Sequence, residues 1–393
     1  MSYLEVFRVF LRLGVTSFGG PVAHVGYFHN EFVLKRQWAS QAQFSSWLAI
    51  CQALPGPASS QLGFLIGWHR AGWVGALLAW AGFTLPSALV LVWLALYGLT
   101  THATWVAALV QGLKLVAVVV VAQAVLSMFK VLCPGWLTRL VAAIGLALAL
   151  MLSGWFGQIG AIIAGGMIAL LWGSRARQAP SVPATIDHAP SRALGLTLLA
   201  AFGVLLLLVP VIASGVEVLQ LFDPFYRAGA LVFGGGHVML PLLESATVTA
   251  GRVTADDFVT GYGLAQAVPG PLFTFAAWLG ALDTTSPGWS GATLALVAIF
   301  LPGLLLVAGV LPFWASVSQT PHAFAALAGI NAAVVGVLAA AWFDPIAKSS
   351  LVGITDWMIA AIGLAMLLWR QYPIWTVVLT LPLLSLGLQW LGL

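Results

Sequence analysis

The stretch RLGVTSFGGPVAHVGYF, residues 12–28, decides which kind of fold this chain can adopt. It places an arginine, a Gly-Gly-Pro break and a histidine inside a segment that otherwise has the apolar character of a membrane helix. A bilayer excludes charged side chains and broken backbone, because its core holds no water to hydrogen-bond with them. These groups must therefore be buried in protein or face a water-filled cavity.

The composition is that of a membrane protein. Of the 393 residues, 61% are hydrophobic and 7% are charged, and the mean hydropathy is +1.03, far from the values of soluble domains. Apolar runs of about 17 to 25 residues, long enough to cross a hydrocarbon core, recur along the chain. We predict an all-α polytopic protein in contact with the lipid bilayer, with about thirteen hydrophobic segments. They cover residues 4–20, 44–67, 73–98, 104–128, 137–152, 155–172, 193–213, 225–242, 258–281, 290–316, 323–344, 355–369 and 373–391.

Several other classes are disfavoured. The N-terminal stretch is interrupted by charges and lacks a cleavage site, so we expect no removable signal peptide. Cys51 and Cys133 lie in different segments without a CxxC motif, so we expect no disulfide framework, no metal site and no cofactor. A net charge of +4 is ordinary for an inner-membrane protein, and we expect no nucleic-acid partner.

One linker and the positions of the basic residues predict the topology. Residues 173–192, rich in Pro, Ala and Ser, form this linker, and the positive-inside rule places it in the cytoplasm. The N-terminus is then cytoplasmic and the C-terminus periplasmic, in the inner membrane of a bacterium. This arrangement also gives cytoplasmic ends to Arg8, Arg70, Lys130, Arg139, Arg252 and Arg370. Lys35, Arg36 and Lys348 violate it, and the first two suggest that residues 24–43 lie along the interface or re-enter the membrane.

The chain contains an internal repeat at a spacing of about 215 residues. Four landmarks recur in order: RLGVTSFGG at 12–20 with RAGALVFGG at 227–235, CQALPGP at 51–57 with AQAVPGP at 265–271, FTLPS at 83–87 with IFLPG at 299–303, and QGLKLVAVVV at 111–120 with AGINAAVVGV at 328–337. We predict a first repeat at 1–172, the linker at 173–192, and an extra helix plus the second repeat at 193–393. Because six spans and the extra helix precede the second copy, we expect the two copies to be inverted across the bilayer.

The FGG and PGP motifs predict helices that break or re-enter inside the membrane. Irregular backbone is tolerated there only where it is buried in protein or lines a wet cavity. A half-helix that starts inside the membrane presents free N–H groups and the positive end of its dipole, and both favour an anion. The alternative is that these residues only kink helices or permit close packing. The candidate glycines are Gly19, Gly20, Gly56, Gly234, Gly235 and Gly270.

Two arginines approach these breaks at the same spacing. Arg12 lies six residues before Phe18, and Arg227 lies six residues before Phe233. Six residues span roughly 9 Å of helix, so in inverted copies the two guanidiniums would approach a central site from opposite sides. Forked donation by guanidinium suits a tetrahedral dianion. The alternative for each arginine is snorkelling to the interface.

Four other polar residues are candidate anion ligands. Lys114 lies near the middle of an apolar run, and its repeat partner Asn331 offers a neutral donor. Gln52 and Gln266, one turn before each PGP motif, are possible amide donors. The alternatives are a lysine held neutral or paired for structure, and glutamines that only satisfy broken backbone.

Two histidines follow the FGG motifs. His24 and His237 are candidates to donate to an anion or to carry a proton near neutral pH. Each is followed seven residues later by an acid, Glu31 or Glu244, which is a possible partner in that proton traffic. The alternatives are histidines packed between helices and glutamates at solvated helix ends.

The sequence offers little for catalysis. It contains no HExxH, GxSxG or P-loop motif, so we expect no enzyme, and a proton or ion gradient must drive transport unless transport is passive. Acidic residues fall near the ends of predicted segments. An acid-poor, basic interior favours an anionic cargo over a metal cation.

The motifs SFGGPVAHVGYF, CQALPGPASSQ and FTLPS, with VFGGGHVMLPLLE and AQAVPGPLFTFA in the second half, resemble those of the chromate ion transporter family. The resemblance covers essentially the whole chain and fits the long, two-domain form of that family. It implies a secondary transporter that exports chromate from the cytoplasm, driven by the proton gradient, and so confers chromate resistance. Sulfate is a structural analogue able to compete.

The residues and the resemblance together predict alternating access, in which one repeat rocks against the other around a site formed by the four breaks. Three alternatives stay open. The first is an importer or exchanger of sulfate or another oxyanion, and the second is an anion channel in which the breaks form a filter. The third, with the least support, is a membrane enzyme that uses His24 and Glu31. We expect a monomer or a homodimer.

Overall fold

A computed structural model describes residues 3–98, 104–152, 155–172, 190–233, 236–317, 321–370 and 372–390. Within these ranges every regular element is helical, which confirms the predicted all-α class. Helices long and apolar enough to cross a membrane are Ala58–Gly98, Trp105–Leu132, Arg192–Ile212, Trp289–Phe313 and Ala325–Ser350. The chain is a multi-pass membrane protein. Most of the predicted linker, and the candidate residues Gly234 and Gly235, lie outside the described ranges.

The α-helices are numbered in chain order. The first half contains α1 Tyr3–Thr16, α2 Gly20–Phe28, α3 Gln41–Ala53, α4 Ala58–Trp93, α5 Thr104–Leu132, α6 Trp136–Met151 and α7 Trp155–Trp172. The second half contains α8 Arg192–Ile212, α9 Glu217–Leu231, α10 Met239–Thr247, α11 Ala255–Ala267, α12 Phe275–Leu282, α13 Trp289–Val310, α14 Trp314–Val317, α15 Pro321–Ala341, α16 Lys348–Ser350, α17 Ile354–Leu368 and α18 Ile374–Trp390. π-helical turns lie at His29–Lys35, Leu94–Gly98 and Trp342–Ala347, and 3₁₀ turns lie at Ala213–Gly215, Gly236–Val238, Leu272–Thr274 and Leu311–Phe313.

The chain reverses direction at the first FGG motif. Phe10 of α1 packs against Phe28 and Phe32, with ring centroids 5.8 and 4.9 Å apart. Farther from the motif, Arg36 Nη1 donates to Glu5 Oε1 over 3.3 Å. Because early residues of α1 meet residues that follow α2, the two helices run antiparallel. They form a hairpin whose tip is the FGG motif.

A second hairpin has its tip at the first PGP motif. Trp47 of α3 lies against His69 of α4, with ring centroids 5.0 Å apart, and the Arg70 guanidinium lies 4.9 Å from the ring centroid of Trp38. The chain then bends back inside α4, where Gly72 adopts a φ of +62° and interrupts the helical backbone. The second part of α4 therefore returns along the first part.

The second half repeats this plan. α9 packs against α10, and α11 packs antiparallel to α12, where the Trp278 indole donates to the Asp257 carbonyl oxygen over 3.0 Å. The helix caps recur as well. Ser40 Oγ accepts a backbone hydrogen bond at the start of α3, and Thr254 Oγ1 does the same at the start of α11. Predicted segments 44–67, 225–242 and 258–281 are each split by one of these breaks, because Pro and Gly end one helix and begin the next.

One helix crossing occurs in both halves and depends on glycine. A Cβ on Gly14 of α1 would lie 2.7 Å from the Gly82 carbonyl oxygen of α4. A Cβ on the equivalent Gly229 of α9 would overlap the Ile299 carbonyl oxygen of α13. Small residues at such crossings let two membrane helices approach at backbone distance.

Replacing Gly229 with leucine is expected to lower the thermal stability of the purified protein, because overpacking of this kind costs about 1 to 3 kcal/mol or more. The measurement is the apparent melting temperature in detergent by size-exclusion chromatography after heating. Gly203→Leu in α8 is the matched control, since nothing lies within 4 Å of a Cβ at that position. A G229L protein that melts with the wild type would contradict the crossing.

The last two helices of each half pack against the other half. α5 packs against α17 and α18, whereas α15 packs against α6 and α7. A Cβ on Gly112 of α5 would overlap Pro382 of α18, and one on Gly329 of α15 would overlap the Gly165 carbonyl oxygen of α7. Gly329 lies 217 residues after Gly112, and Pro382 lies 217 residues after Gly165. The same contact therefore occurs twice with the partners exchanged.

Candidate functional site

The four helix breaks meet at one junction between the two halves, and each PGP motif binds the FGG region of the other half. The backbone N–H of Gly56 donates to the Val232 carbonyl oxygen over 2.8 Å. The backbone N–H of Gly270 donates to the Ser17 carbonyl oxygen over 3.0 Å. These two hydrogen bonds are equivalent under the repeat, so the junction is reciprocal.

Further contacts at this junction also join a motif of one half to a motif of the other half. A Cβ on Gly56 would lie 2.9 Å from Gly303 Cα, and one on Gly270 would lie 2.6 Å from Ser87 Oγ, so each PGP motif packs on the LPS or LPG motif of the other half. The two FGG regions also touch, since Pro21 Cγ lies 3.6 Å from the position of a Cβ on Gly236. The described residues on either side of the breaks therefore lie together in the structure.

Helix N-termini point into this junction without side-chain caps. Gly19, with a φ of +101°, precedes α2, and Pro57 precedes α4, and neither position has a capping hydrogen bond from a side chain. The first intrahelical bond of α4 runs from Gln61 N to Pro57 O. The backbone N–H groups before Gln61, in the first turn of α4, have no acceptor within the helix, as at any helix start. Such groups, with the positive end of the helix dipole, can bind an anion.

The two histidines lie beside the breaks in different surroundings. His24 is fully buried, where its Nε2 donates to the Ser17 carbonyl oxygen over 3.2 Å and its Nδ1 lies 3.4 Å from Ser59 Oγ. It therefore ties the first FGG motif to the start of α4, as expected of a histidine packed between helices. His237 is half-buried and shares a hydrogen bond between its Nδ1 and the Tyr262 hydroxyl.

The two arginines differ in charge environment. Arg12 lies on an exposed face of α1, and Arg227 forms an ion pair with Asp223 on the same helix. The sequence prediction placed Asp223 before its segment at 225–242, but α9 already begins at Glu217. The (i, i+4) spacing of Asp223 and Arg227 was a signal that could have revealed this pair.

Lys114 is buried and its amine is paired. Its Nζ forms an ion pair with Asp256 Oδ1 at the start of α11, in the other half. This pairing supports the structural alternative for Lys114, and no local sequence pattern predicts it. Asn331, its repeat partner, is half-buried, and its Oδ1 has no hydrogen-bond partner among the described residues.

The remaining candidates are divided between the junction and its surroundings. Gln52 is exposed and Gln266 is half-buried, each one turn before a PGP motif. Glu31 is bound by Arg36 over 2.7 Å, and Glu244 accepts from the Thr249 hydroxyl over 3.0 Å. Neither glutamate contacts a histidine in the described part of the chain.

Sequence reasoning missed Gln61, which lies at the junction. Gln61 is fully buried, and its Nε2 donates to the carbonyl oxygens of Pro55 and Gly303, each over 2.9 Å. It thereby joins the first PGP motif to the LPG motif of the second half. Its repeat equivalent is Phe275, so the internal repeat gave no signal for it.

Comparison with known proteins identifies the family. A chromate transporter family model matches residues 4–172 and again 219–387. A chromate transport protein of Cupriavidus metallidurans is 30% identical over 371 residues, covering 93% of this chain and 87% of that protein. A probable chromate transport protein of Synechococcus elongatus is 28% identical over 344 residues, or 86% of this chain and 84% of that protein. No solved structure matches. With two copies of the family model over most of its length, the chain belongs to the chromate transporter family.

Proposed function

We propose that this protein transports chromate, a tetrahedral oxyanion, across the membrane through a site at the junction of its four helix breaks. The observation that carries the proposal is the reciprocal pair of hydrogen bonds from Gly56 to Val232 and from Gly270 to Ser17. It places the uncapped starts of α2 and α4 at the junction between the repeats, where their N–H groups and dipoles favour an anion. The family of the chain and the names of its relatives support chromate as that anion.

We propose further that the two repeats are inverted. The hairpins of the first half form one hydrophobic core, which includes Phe10 and Phe83, and those of the second half form another, which includes Phe258 and Phe300. α13 runs from the second core into the first, where Val307 lies, and α4 runs the opposite way. Two cores at opposite ends of long crossing helices fit a pseudo-two-fold axis in the membrane plane, as in many inverted-repeat transporters.

This arrangement supports a cytoplasmic N-terminus in a bacterial inner membrane. Because α1 and α2 form a hairpin, Lys35 and Arg36 return to the end that carries Glu5, so they no longer violate the positive-inside rule. Arg252 donates to the Gln220 carbonyl oxygen in the second half, so in the inverted arrangement it is assigned to the opposite side of the membrane. By the positive-inside rule, the distribution of basic residues then favours a cytoplasmic location for the end that carries the N-terminus, with the C-terminus periplasmic.

Export against a gradient needs coupling, and the proposed driving force is the proton gradient. The sequence contains no P-loop for ATP hydrolysis. His237 with Tyr262 is the proposed proton-carrying pair at the junction, since His24 has both ring nitrogens engaged by the protein. Coupled export from the cytoplasm would confer chromate resistance.

The test is flux of labelled chromate in proteoliposomes with imposed pH gradients. Saturable uptake that depends on the gradient is expected, and labelled sulfate in the same vesicles reports selectivity. Ohmic currents without saturation would instead indicate a channel. Chromate flux no higher than that of protein-free vesicles would contradict the proposal.

Arg12→Ala is expected to lower chromate flux by about tenfold, the effect of losing roughly 1.4 kcal/mol of anion binding. Its guanidinium has no ion-pair partner among the described residues, whereas Arg227 is already neutralised by Asp223, so Arg227→Ala should have a smaller effect on flux. Arg192→Ala, at an exposed helix start, is the matched control. Wild-type flux in R12A, at normal protein levels, would remove Arg12 from the site.

A further inference from the structure

We propose that the structure is open to the anion on the N-terminal side, along α2 and α3, and closed on the opposite side along α10 and α11. The inference rests on the proposed transport through the central junction. It names the access route to that junction and the contacts that close the equivalent route. The basis is a difference in solvent exposure between helix faces that occupy equivalent positions in the two repeats.

The first difference lies between α3 and α11. Ser45 and Gln52 of α3 are exposed, but Val259, which lies 214 residues after Ser45, is fully buried. The cause is α5, whose Leu113 backbone lies directly against Gly263 of α11. No comparable packing joins α3 to α15, the equivalent of α5, in the described part of the chain.

The second difference lies between α2 and α10. Tyr27 is 40% exposed, whereas Leu240, which lies 213 residues later, is 0% exposed. Asn30 is likewise exposed, and its equivalent Leu243 is buried. α10 is covered because it packs against α7 and α15. α2 and α3 thus lack, among the described residues, packing comparable to that which covers α10 and α11.

Polar contacts of two side chains, Lys114 and Gln158, hold the closed side, and the repeat does not duplicate them. Lys114 of α5 forms its ion pair with Asp256, and their equivalents are Asn331 and Ala42. Gln158 of α7 donates to the carbonyl oxygen of Pro241 over 2.6 Å and to Ser245 Oγ over 2.8 Å. These contacts seal α10 and α11 against the neighbouring helices.

The open face is polar, which distinguishes it from a surface that faces lipid. Gln41, Ser45 and Gln52 lie four and seven residues apart, so they form one stripe along α3. Polar side chains within a membrane segment face water or protein. The stripe ends one turn before Gly56, whose N–H belongs to the junction. It therefore lines a wetted route from the N-terminal side to the junction.

The route is testable by labelling of single cysteines with a membrane-impermeant maleimide. Two matched pairs report on the two sides: Ser45→Cys with Val259→Cys, and Tyr27→Cys with Leu240→Cys. Wild-type protein is the blank, because Cys51 and Cys133 are each 1% exposed. In vesicles that expose the N-terminal side, S45C and Y27C are expected to react at least tenfold faster than V259C and L240C. From the opposite side, neither S45C nor Y27C should react.

Breaking the ion pair supplies a second measurement. Lys114→Met in the V259C background is expected to raise V259C labelling from the opposite side several-fold, because the contact between α5 and α11 is weakened. Equal labelling of S45C and V259C, or no labelling of S45C from either side, would overturn the route. Chromate flux of S45C is measured in parallel. If the labelling pattern holds while wild-type vesicles carry only sulfate, the route stands and the proposed substrate is wrong.

Discussion

Replacing Gly56 or Gly270 with alanine is expected to lower chromate flux by about tenfold or more. Both glycines have left-handed backbone, with φ values of +120° and +115°, where a side chain costs about 1 to 3 kcal/mol. The added Cβ would also press on Gly303 Cα in one repeat and on Ser87 Oγ in the other. The displacement needed to accommodate either Cβ would break a backbone hydrogen bond that joins the repeats at the proposed anion site, from Gly56 to Val232 or from Gly270 to Ser17.

Gly288→Ala is the matched control for both variants. Gly288 has a φ of +90°, but nothing lies within 4 Å of a Cβ at that position. This variant carries the backbone strain without the contact at the junction, so its flux per folded molecule should stay near that of the wild type. Flux is measured in proteoliposomes and divided by the amount of monodisperse protein. G56A and G270A that match G288A would show that the junction is not part of the transport site.

The breaks themselves could be predicted from the sequence, because their signals are local. Pro and Gly at the FGG and PGP motifs disfavour continuation of a helix, and the recurrence of both motifs about 215 residues later indicated that they belong to a repeated unit. What the sequence could not give is which break binds which. That Gly56 meets Val232, and Gly270 meets Ser17, depends on the path of whole helices between them.

The ion-pair partners of the charged residues were likewise predictable only where the two residues are close in sequence. The pair of Arg227 and Asp223 lies within one helical turn and was readable from spacing. Lys114 is paired with Asp256, which lies 142 positions along the chain, and only the packing of α5 on α11 brings them together. The internal repeat gave no help, because the equivalent of Asp256 is Ala42.

Neither repeat is expected to fold alone, although the two should assemble when expressed as separate chains. The reason is that α17 and α18 pack on α5, while α6 and α7 pack on α15, so each half lacks the partner that covers its long helix. Residues 1–189 and 190–393, with an affinity tag on the first, should co-purify as one monodisperse species. Gly112→Leu should abolish co-purification, because a side chain there would overlap Pro382, whereas Gly160→Leu in α7 should not, since nothing lies within 4 Å of a Cβ at that position. A first half that is stable and monodisperse by itself would contradict this dependence, and would mean that the exchanged helices add little to the stability of either repeat.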